Sequence, residues 1–236
     1  MVVERSNRGQ ESAVLCSGGL DSVVLLAEEA RTARVLPLYV SVGLAWEDDE
    51  RARLIDLLST PPFDRNVAPL AHLDLPMRDV YGPSHWAIRG TPPAYDTADE
   101  DVYLVGRNIV LLSKAAVMCA QRGIGRLVLG PLDSNPFPDA TPAFFDAMAR
   151  ALTLGLDHEL AIATPFVALH KAAVIRRGVA LGVDVGRTLS CMRPRAGRHC
   201  GMCSKCRERR DAFDDAGVPD TTDYEQPSPR AHEAGR

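Results

Sequence analysis

No apolar run in this sequence approaches the ~20 residues that a membrane-spanning helix needs, so no such helix is expected within its 236 residues. The first residues, Met-Val-Val-Glu-Arg-Ser-Asn-Arg, lack the hydrophobic stretch of a secretory signal, and a cytoplasmic location is the expectation. An excess of basic charge is missing too. The 27 Lys and Arg are outweighed by 31 Asp and Glu, leaving a formal net charge of −4. That argues against a broad nucleic-acid footprint, although residues 193–210 form a local basic stretch. There is no internal repeat, and the Gly-x-x-x-x-Gly-Lys-Ser/Thr phosphate loop is absent. Cysteine is scarce until the chain is nearly done: four of the six crowd between residues 191 and 206. In an intracellular chain that crowding points to a metal rather than to disulfides. With 46% hydrophobic and 25% charged residues, the chain can fill one sizeable core, with or without a small appendage.

What is present begins at residues 13–22, Ala-Val-Leu-Cys-Ser-Gly-Gly-Leu-Asp-Ser. The apolar residues 13–15 read as a buried strand, Ser17, Gly18 and Gly19 as a turn, and the residues from Leu20 as a helix. Adjacent glycines let an anion approach the backbone without a side chain in the way. N–H groups converging at a helix N-terminus form a concavity for phosphate. Ser17 and Ser22 are candidate hydroxyl donors, and Asp21 suits a Mg²⁺ ion bridging phosphate oxygens. In this strand–turn–helix setting Ser-Gly-Gly-x-Asp-Ser resembles the signature of PP-loop ATP pyrophosphatases, which cleave ATP to AMP and pyrophosphate. The resemblance implies that Ser17, Gly18, Gly19, Leu20, Asp21 and Ser22 hold ATP.

Along the rest of the chain strands are expected at residues 35–40, 67–75, 126–129 and 160–163, and helices at 20–31, 47–58, 102–121, 143–154 and 170–181. Residues 76–99, rich in proline and glycine, read as a long loop, and residues 131–142 as a proline-rich turn. The alternation predicts an α/β fold, a doubly wound parallel sheet with helices on both faces. Ligands in such sheets sit at the carboxyl ends of the strands. The expected division is an ATP-binding domain at 1–185, a cysteine-rich segment at 186–225 and a disordered tail at 226–236.

Cys191, Cys200, Cys203 and Cys206 have the spacing Cys-x₈-Cys-x₂-Cys-x₂-Cys. Four thiolates suit a closed, tetrahedral structural Zn²⁺ site, and the Cys-x₂-Cys-x₂-Cys portion also occurs around iron–sulfur clusters. His199 is expected to be a bystander, and Cys16 and Cys119 small core residues.

Three further segments connect the loop to the cysteines: Val105-Gly106-Arg107-Asn108, then Pro138-Asp139, then Thr164-Pro165-Phe166 followed by Leu169-His170-Lys171. With the loop and the cysteines, their order and spacing resemble the 7-cyano-7-deazaguanine synthase family over roughly residues 12–215. The resemblance implies a ligase that activates a deazapurine carboxylate with ATP and converts it, with ammonia, into a nitrile. It further implies Asp21, Arg107 and Lys171 as catalytic residues, Gly106 and Asn108 beside the nucleotide, and Zn²⁺ on the four cysteines. Small-molecule substrates are the expected partners, and a homodimer is compatible with this reading.

The sequence also departs from the family's pattern. Cys16 and Leu20 stand where the family usually has an aromatic residue and Gln, and residues 40–46, Val-Ser-Val-Gly-Leu-Ala-Trp, replace a strand running into Asp-Tyr-Gly-Gln. Residues 134–141, Ser-Asn-Pro-Phe-Pro-Asp-Ala-Thr, keep the Pro-Asp of the family's Ser-Gly-Tyr-Pro-Asp-Cys-Arg but not its Cys and Arg. Trp46, Phe137 and Asp139, with the loop near Trp86, are expected to line the acceptor pocket. The alternatives are a relative that adenylates another carboxylate to give an amide or conjugate, a tRNA-modifying PP-loop enzyme, and a nucleotide-binding protein without catalysis.

Overall fold

The computed structural model describes residues 11–133 and 135–229. Five strands form one sheet in the order β3-β2-β1-β4-β5. They are β1 (Ser12–Leu15), β2 (Val35–Ser41), β3 (Ala71–Asp74), β4 (Arg126–Val128) and β5 (Ala161–Ala163). Every pairing is parallel. The inner strands β1 and β2 are apolar almost without interruption because both faces of the sheet are covered.

One face is covered by α1 (Leu20–Ala30), α2 (Glu47–Leu58), α7 (Lys171–Ala180) and α8 (Ser204–Ala216). The other carries α5 (Arg107–Arg122) and α6 (Pro142–Leu156). Two single-turn helices, α3 (Arg78–Tyr81) and α4 (Trp86–Arg89), lie in the connection from β3 to α5. A third apolar cluster, including Trp46, Ala87, Leu104 and the four clustered cysteines, sits over the carboxyl ends of the strands. No helix among the described residues is long and apolar enough to cross a membrane.

The alternation of strands and helices is as the sequence predicts, with four differences. The third strand is confined to Ala71–Asp74, and Val67 makes only an isolated bridge to Val35. Pro69, with no N–H to donate, lies in the gap. Residues 76–99 are not all loop, since α3 and α4 form there. The helix expected from residue 102 starts at Arg107, after Gly106 in a left-handed conformation (φ 75°). Finally, α8 has no counterpart in the sequence reading. It buries Ala212, Phe213 and Ala216 in the same cluster as α1, while the four cysteines of the same segment pack in the cluster over the strand ends.

Arg209 of α8 is almost wholly buried and ties this segment together. Its guanidinium donates to Thr222 Oγ1 at 2.7 Å, Thr188 Oγ1 at 2.9 Å and the Val185 carbonyl at 2.6 Å. Of the expected tail, residues 226–229 are docked. The Gln226 carbonyl accepts from Arg210 at 2.9 Å, and Ser228 Oγ lies 3.1 Å from the Tyr95 hydroxyl. Residues 230–236 lie outside the described residues.

Candidate functional site

β1 ends at the loop 16–19, which turns directly into α1. Gly18 has φ +77°, and a Cβ there would stand 2.8 Å from the Glu50 carbonyl oxygen, so both conformation and space demand glycine. Gly19 has an ordinary φ of −73° and is the N-cap of α1. The two serines brace the loop from within. The Ser17 N–H donates to Ser22 Oγ at 3.2 Å, Ser22 Oγ donates to the Gly19 carbonyl at 3.0 Å, and the Gly19 N–H donates to Ser17 Oγ at 3.3 Å. The Ser22 hydroxyl proton is therefore committed to the loop, where the sequence suggested a free donor. Leu20 points into the core and offers only its backbone. The first N–H groups of a helix have no intrahelical acceptor, and in α1 they belong to Gly19, which donates to Ser17 Oγ, and to Leu20, Asp21 and Ser22.

Asp21, in the first turn of α1, faces a cavity of about 300 Å³ that also reaches Ser17, Gly19, Arg107 and Lys171. Its Oδ2 is 3.4 Å from Lys171 Nζ, and its buried Oδ1 has no hydrogen-bond partner among the described residues. Burial raises the Asp21 pKa, against the pull of Lys171. Lys171, the first residue of α7, is bonded on its other side to Glu208 Oε1. Lys205 Nζ in turn donates to Glu208 Oε2 at 2.6 Å. Burial alone would lower the Lys171 pKa, but Asp21 and Glu208 outweigh it and the net shift is upward. Burial would likewise raise Glu208, yet Lys171 and Lys205 bring it down to about 2. Lys171 and Glu208 are thus both charged near neutral pH, and acidic and basic side chains alternate from Asp21 to Lys205.

Arg107 opens α5, and its Nε is buried without a partner among the described residues. Its neighbour Asn108 is locked to Asp139. The Asn108 N–H donates to Asp139 Oδ2 at 3.0 Å and its side-chain amide to the Asp139 carbonyl at 2.8 Å. One oxygen of Asp139 is therefore committed to the N-terminus of α5, a favourable place for negative charge. Burial raises the Asp139 pKa and the Asn108 hydrogen bond opposes the shift.

Two aromatic stacks line the same cavity: Trp46 on Trp86, with centroids 5.8 Å apart and planes 13° apart, and Tyr103 on Phe137, at 5.0 Å and 23°. Trp46 is positioned by Glu47, whose carboxylate accepts the N–H groups of Val42 and Gly43, each at 2.9 Å. A smaller adjoining cavity of about 190 Å³ runs along the end of β2, past Leu38, Tyr39 and Val40.

The structure thus gathers Ser17, Gly19, Leu20, Asp21, Trp46, Arg107, Asn108, Phe137, Asp139 and Lys171 on one cavity. Gly18, Ser22 and Gly106 shape the backbone around it. Sequence reasoning missed Glu50, Tyr103, Lys205 and Glu208, which line the same cavity. Glu50 is buried and accepts from the Tyr39 hydroxyl at 3.1 Å. Burial lifts its pKa to about 7, although Arg107 and Tyr39 pull the other way. The one signal in the sequence is that Glu47 and Glu50 stand three apart and so share a face of α2, inward where Asp48 is outward.

The four clustered cysteines are buried, and their sulfurs all lie within 4.8 Å of one another. Cys191–Cys203, Cys200–Cys206 and Cys203–Cys206 are separated by 4.0, 3.9 and 3.5 Å. A tetrahedral zinc with Zn–S bonds near 2.3 Å needs sulfurs about 3.8 Å apart. The donor set therefore fits one ion, and the sulfurs are too close together to enclose a multi-iron cluster. The backbone N–H groups of Arg193 and Cys200 donate to Cys191 Sγ at 3.3 and 3.2 Å, which supports a thiolate. His199 is occupied elsewhere: its Nε2 accepts the Ser190 N–H at 3.1 Å, and burial, aided by Arg209, lowers its pKa to about 3. Cys16 and Cys119 are buried, and burial raises both pKa values.

A family model described as "Queuosine biosynthesis protein QueC" matches residues 11–217. The 7-cyano-7-deazaguanine synthase of Nitrosococcus oceani is 34% identical over 226 residues, covering 91% of this chain and 98% of that protein. That of Solidesulfovibrio magneticus is 33% identical over 231 residues, covering 91% and 96%. Among solved structures, a 4-thiouridine synthetase in complex with RNA and ATP aligns with a TM-score of 0.47 and 12% identity, over 88% of this chain and 51% of that one.

Proposed function

Because the chain belongs to the QueC family of queuosine biosynthesis proteins, we propose that it converts 7-carboxy-7-deazaguanine, ammonia and ATP into 7-cyano-7-deazaguanine. The observation that carries this reading is the convergence of the glycine loop, Asp21, Lys171 and Arg107 on a cavity that also presents flat aromatic faces.

A carboxylate is a poor electrophile, and its oxygen leaves poorly. Attack of that oxygen on the α-phosphorus of ATP forms an acyl adenylate and breaks the bond to pyrophosphate. Ammonia then attacks the acyl carbon, AMP leaves with the oxygen, and an amide remains once one proton has been lost. Attack of the amide oxygen on a second ATP releases another pyrophosphate. Loss of AMP and the two remaining N–H protons completes the nitrile, so two AMP and two pyrophosphates accompany each product.

In this scheme the N–H groups at the start of α1 cradle the phosphates, and Lys171 and Arg107 spread the charge that develops on the transferring phosphorus and the departing pyrophosphate. The adenosine lies along the end of β2, and Trp46, Trp86, Tyr103 and Phe137 hold the planar acceptor. Asp21 Oδ1, buried and unpartnered, fits a Mg²⁺ ion, which when bound neutralises phosphate charge. The four cysteines hold a structural Zn²⁺, a closed site that cross-links the C-terminal segment.

Two tests follow from these assignments. Supplied with the deazaguanine carboxylate, ammonium and ATP, the protein should yield the nitrile by mass, with two AMP per product. Accumulation of the amide as end product, or pyrophosphate release only with a different carboxylate, would overturn the substrate and leave the ATP chemistry standing. The second test uses Gly19, whose ordinary φ tolerates a side chain and whose added Cβ would stand 3.1 Å from Ser17 Oγ. Gly19→Val should fold as the wild type does and weaken ATP binding by at least about 10-fold, because its methyls occupy the space that phosphate needs. Equal affinity by calorimetry refutes the phosphate assignment.

A further inference from the structure

We infer that α8 completes the phosphate-binding part of the cavity: Lys205 contacts the polyphosphate of the nucleotide and the pyrophosphate it releases, and Glu208 is the positioning residue that orients Lys171. The inference rests on the reading of the cavity as an ATP site.

Three observations carry it. Lys205 and Glu208 line the same cavity as Lys171 and as Ser17, Gly19 and Asp21, although the last three are nearly two hundred residues away in sequence. Their side chains are only 27% and 24% exposed, and that of Lys171 16%. On an open helix surface an ion pair three residues apart is commonplace and needs no explanation. This one forms a cavity wall and extends, through Lys171, to Asp21.

The second observation is that Lys205 lies in the first turn of α8, where a cation works against the helix macrodipole. The arrangement costs the free protein stability. It favours an anion held in front of the turn, which meets the positive helix end and the ammonium together.

The third is the division of labour around Lys171. Its ammonium is held by Asp21 on one side and Glu208 on the other. Asp21 faces the cavity with an unpartnered oxygen and is the group whose partners change when nucleotide enters. Glu208 is anchored by Lys205 and by its place two residues after the metal ligand Cys206. It is therefore the fixed end of the chain, from which Lys171 is aimed.

The experiment uses the full-length, zinc-loaded protein and two probes that need no acceptor: inorganic pyrophosphate, and an ATP analogue with a methylene bridge between the α and β phosphorus atoms. Lys205→Met should weaken both by about 10- to 100-fold, the worth of one charge-assisted hydrogen bond, and Lys205→Arg should recover most of the loss. Glu208→Gln removes a negative charge from the cavity, so pyrophosphate should bind as well as before or better. Its kcat for pyrophosphate release should nevertheless fall by about 10-fold or more with KM for ATP little changed, the pattern of an interaction needed only in the transition state. Glu208→Asp should restore part of the rate.

Zinc content and melting temperature, measured in parallel, identify any variant that has lost the metal segment. Lys205→Met with wild-type affinity for both probes, or Glu208→Gln with wild-type kcat, overturns the inference. If neither probe binds the wild-type protein, the reading of the cavity itself has failed, and that outcome is distinct from the other two.

Discussion

Lys171→Met should lower the rate of pyrophosphate release by about 100- to 1,000-fold, the cost of removing one preorganised donor from a developing negative charge. It should also destabilise the free protein. The side chain is 16% exposed and is shared by two carboxylates, Asp21 and Glu208. Breaking a buried ion pair by deleting one partner costs about 3–5 kcal/mol. The lower end is expected here because Glu208 keeps Lys205. The two effects are separable: Lys171→Arg retains the charge and should recover most of the melting temperature but not the rate, since a planar fork does not occupy the position of an ammonium. Steady-state pyrophosphate release and thermal unfolding measure the two quantities. A rate within tenfold of wild type would remove Lys171 from the chemistry.

Cys203→Ser should reduce zinc from about one ion per chain to nearly none and lower the melting temperature by about 10 °C or more, because metal binding at a four-thiolate site is folding free energy. The loss should reach the nucleotide as well. The Leu189 N–H donates to the Gly18 carbonyl at 2.8 Å, so the segment leading into Cys191 holds the glycine loop directly. The Gly197 N–H donates to Asp49, and Arg53 donates to the Gly197 carbonyl at 2.8 Å, which pins the knuckle to α2. ATP affinity should therefore fall in a variant altered at none of the nucleotide-facing positions. Metal analysis and calorimetry on the same preparation check both parts, and full metal occupancy in the variant would refute the ligand assignment.

What could be read from the sequence was local. The turn at Ser17–Ser22 and the cysteine spacing are short patterns whose chemistry depends on neighbours in the chain, and both lie where the pattern says. The βα alternation was equally legible because buried parallel strands are short apolar runs. α8 was hidden by its composition: nine of its thirteen residues are polar or charged, and its largest fully buried side chain is Arg209, held by hydrogen bonds and not by apolar burial. Glu208 and Lys205 were hidden with it, because a charged residue on a charged helix reads as solvated surface. Glu50 was obscured in the same way by the acidic run Glu47, Asp48, Asp49, Glu50. Asp139 shows a different limit. Its presence near the cavity was foreseen, but its tie to the Asn108 N–H depends on a three-dimensional neighbour thirty-one residues away.

The bond from Leu189 to Gly18 also sets the order in which the protein comes into being. About 170 residues separate its two ends, and a ribosome adds roughly 5–20 residues per second. The glycine turn therefore emerges on the order of 10 to 30 s before the segment that steadies it, and α8 follows later still. A nascent chain has its turn and its central strand long before it has the α8 side of the cavity. Competence to handle nucleotide is thus the last property acquired, and it arrives together with the cysteines that take up the metal.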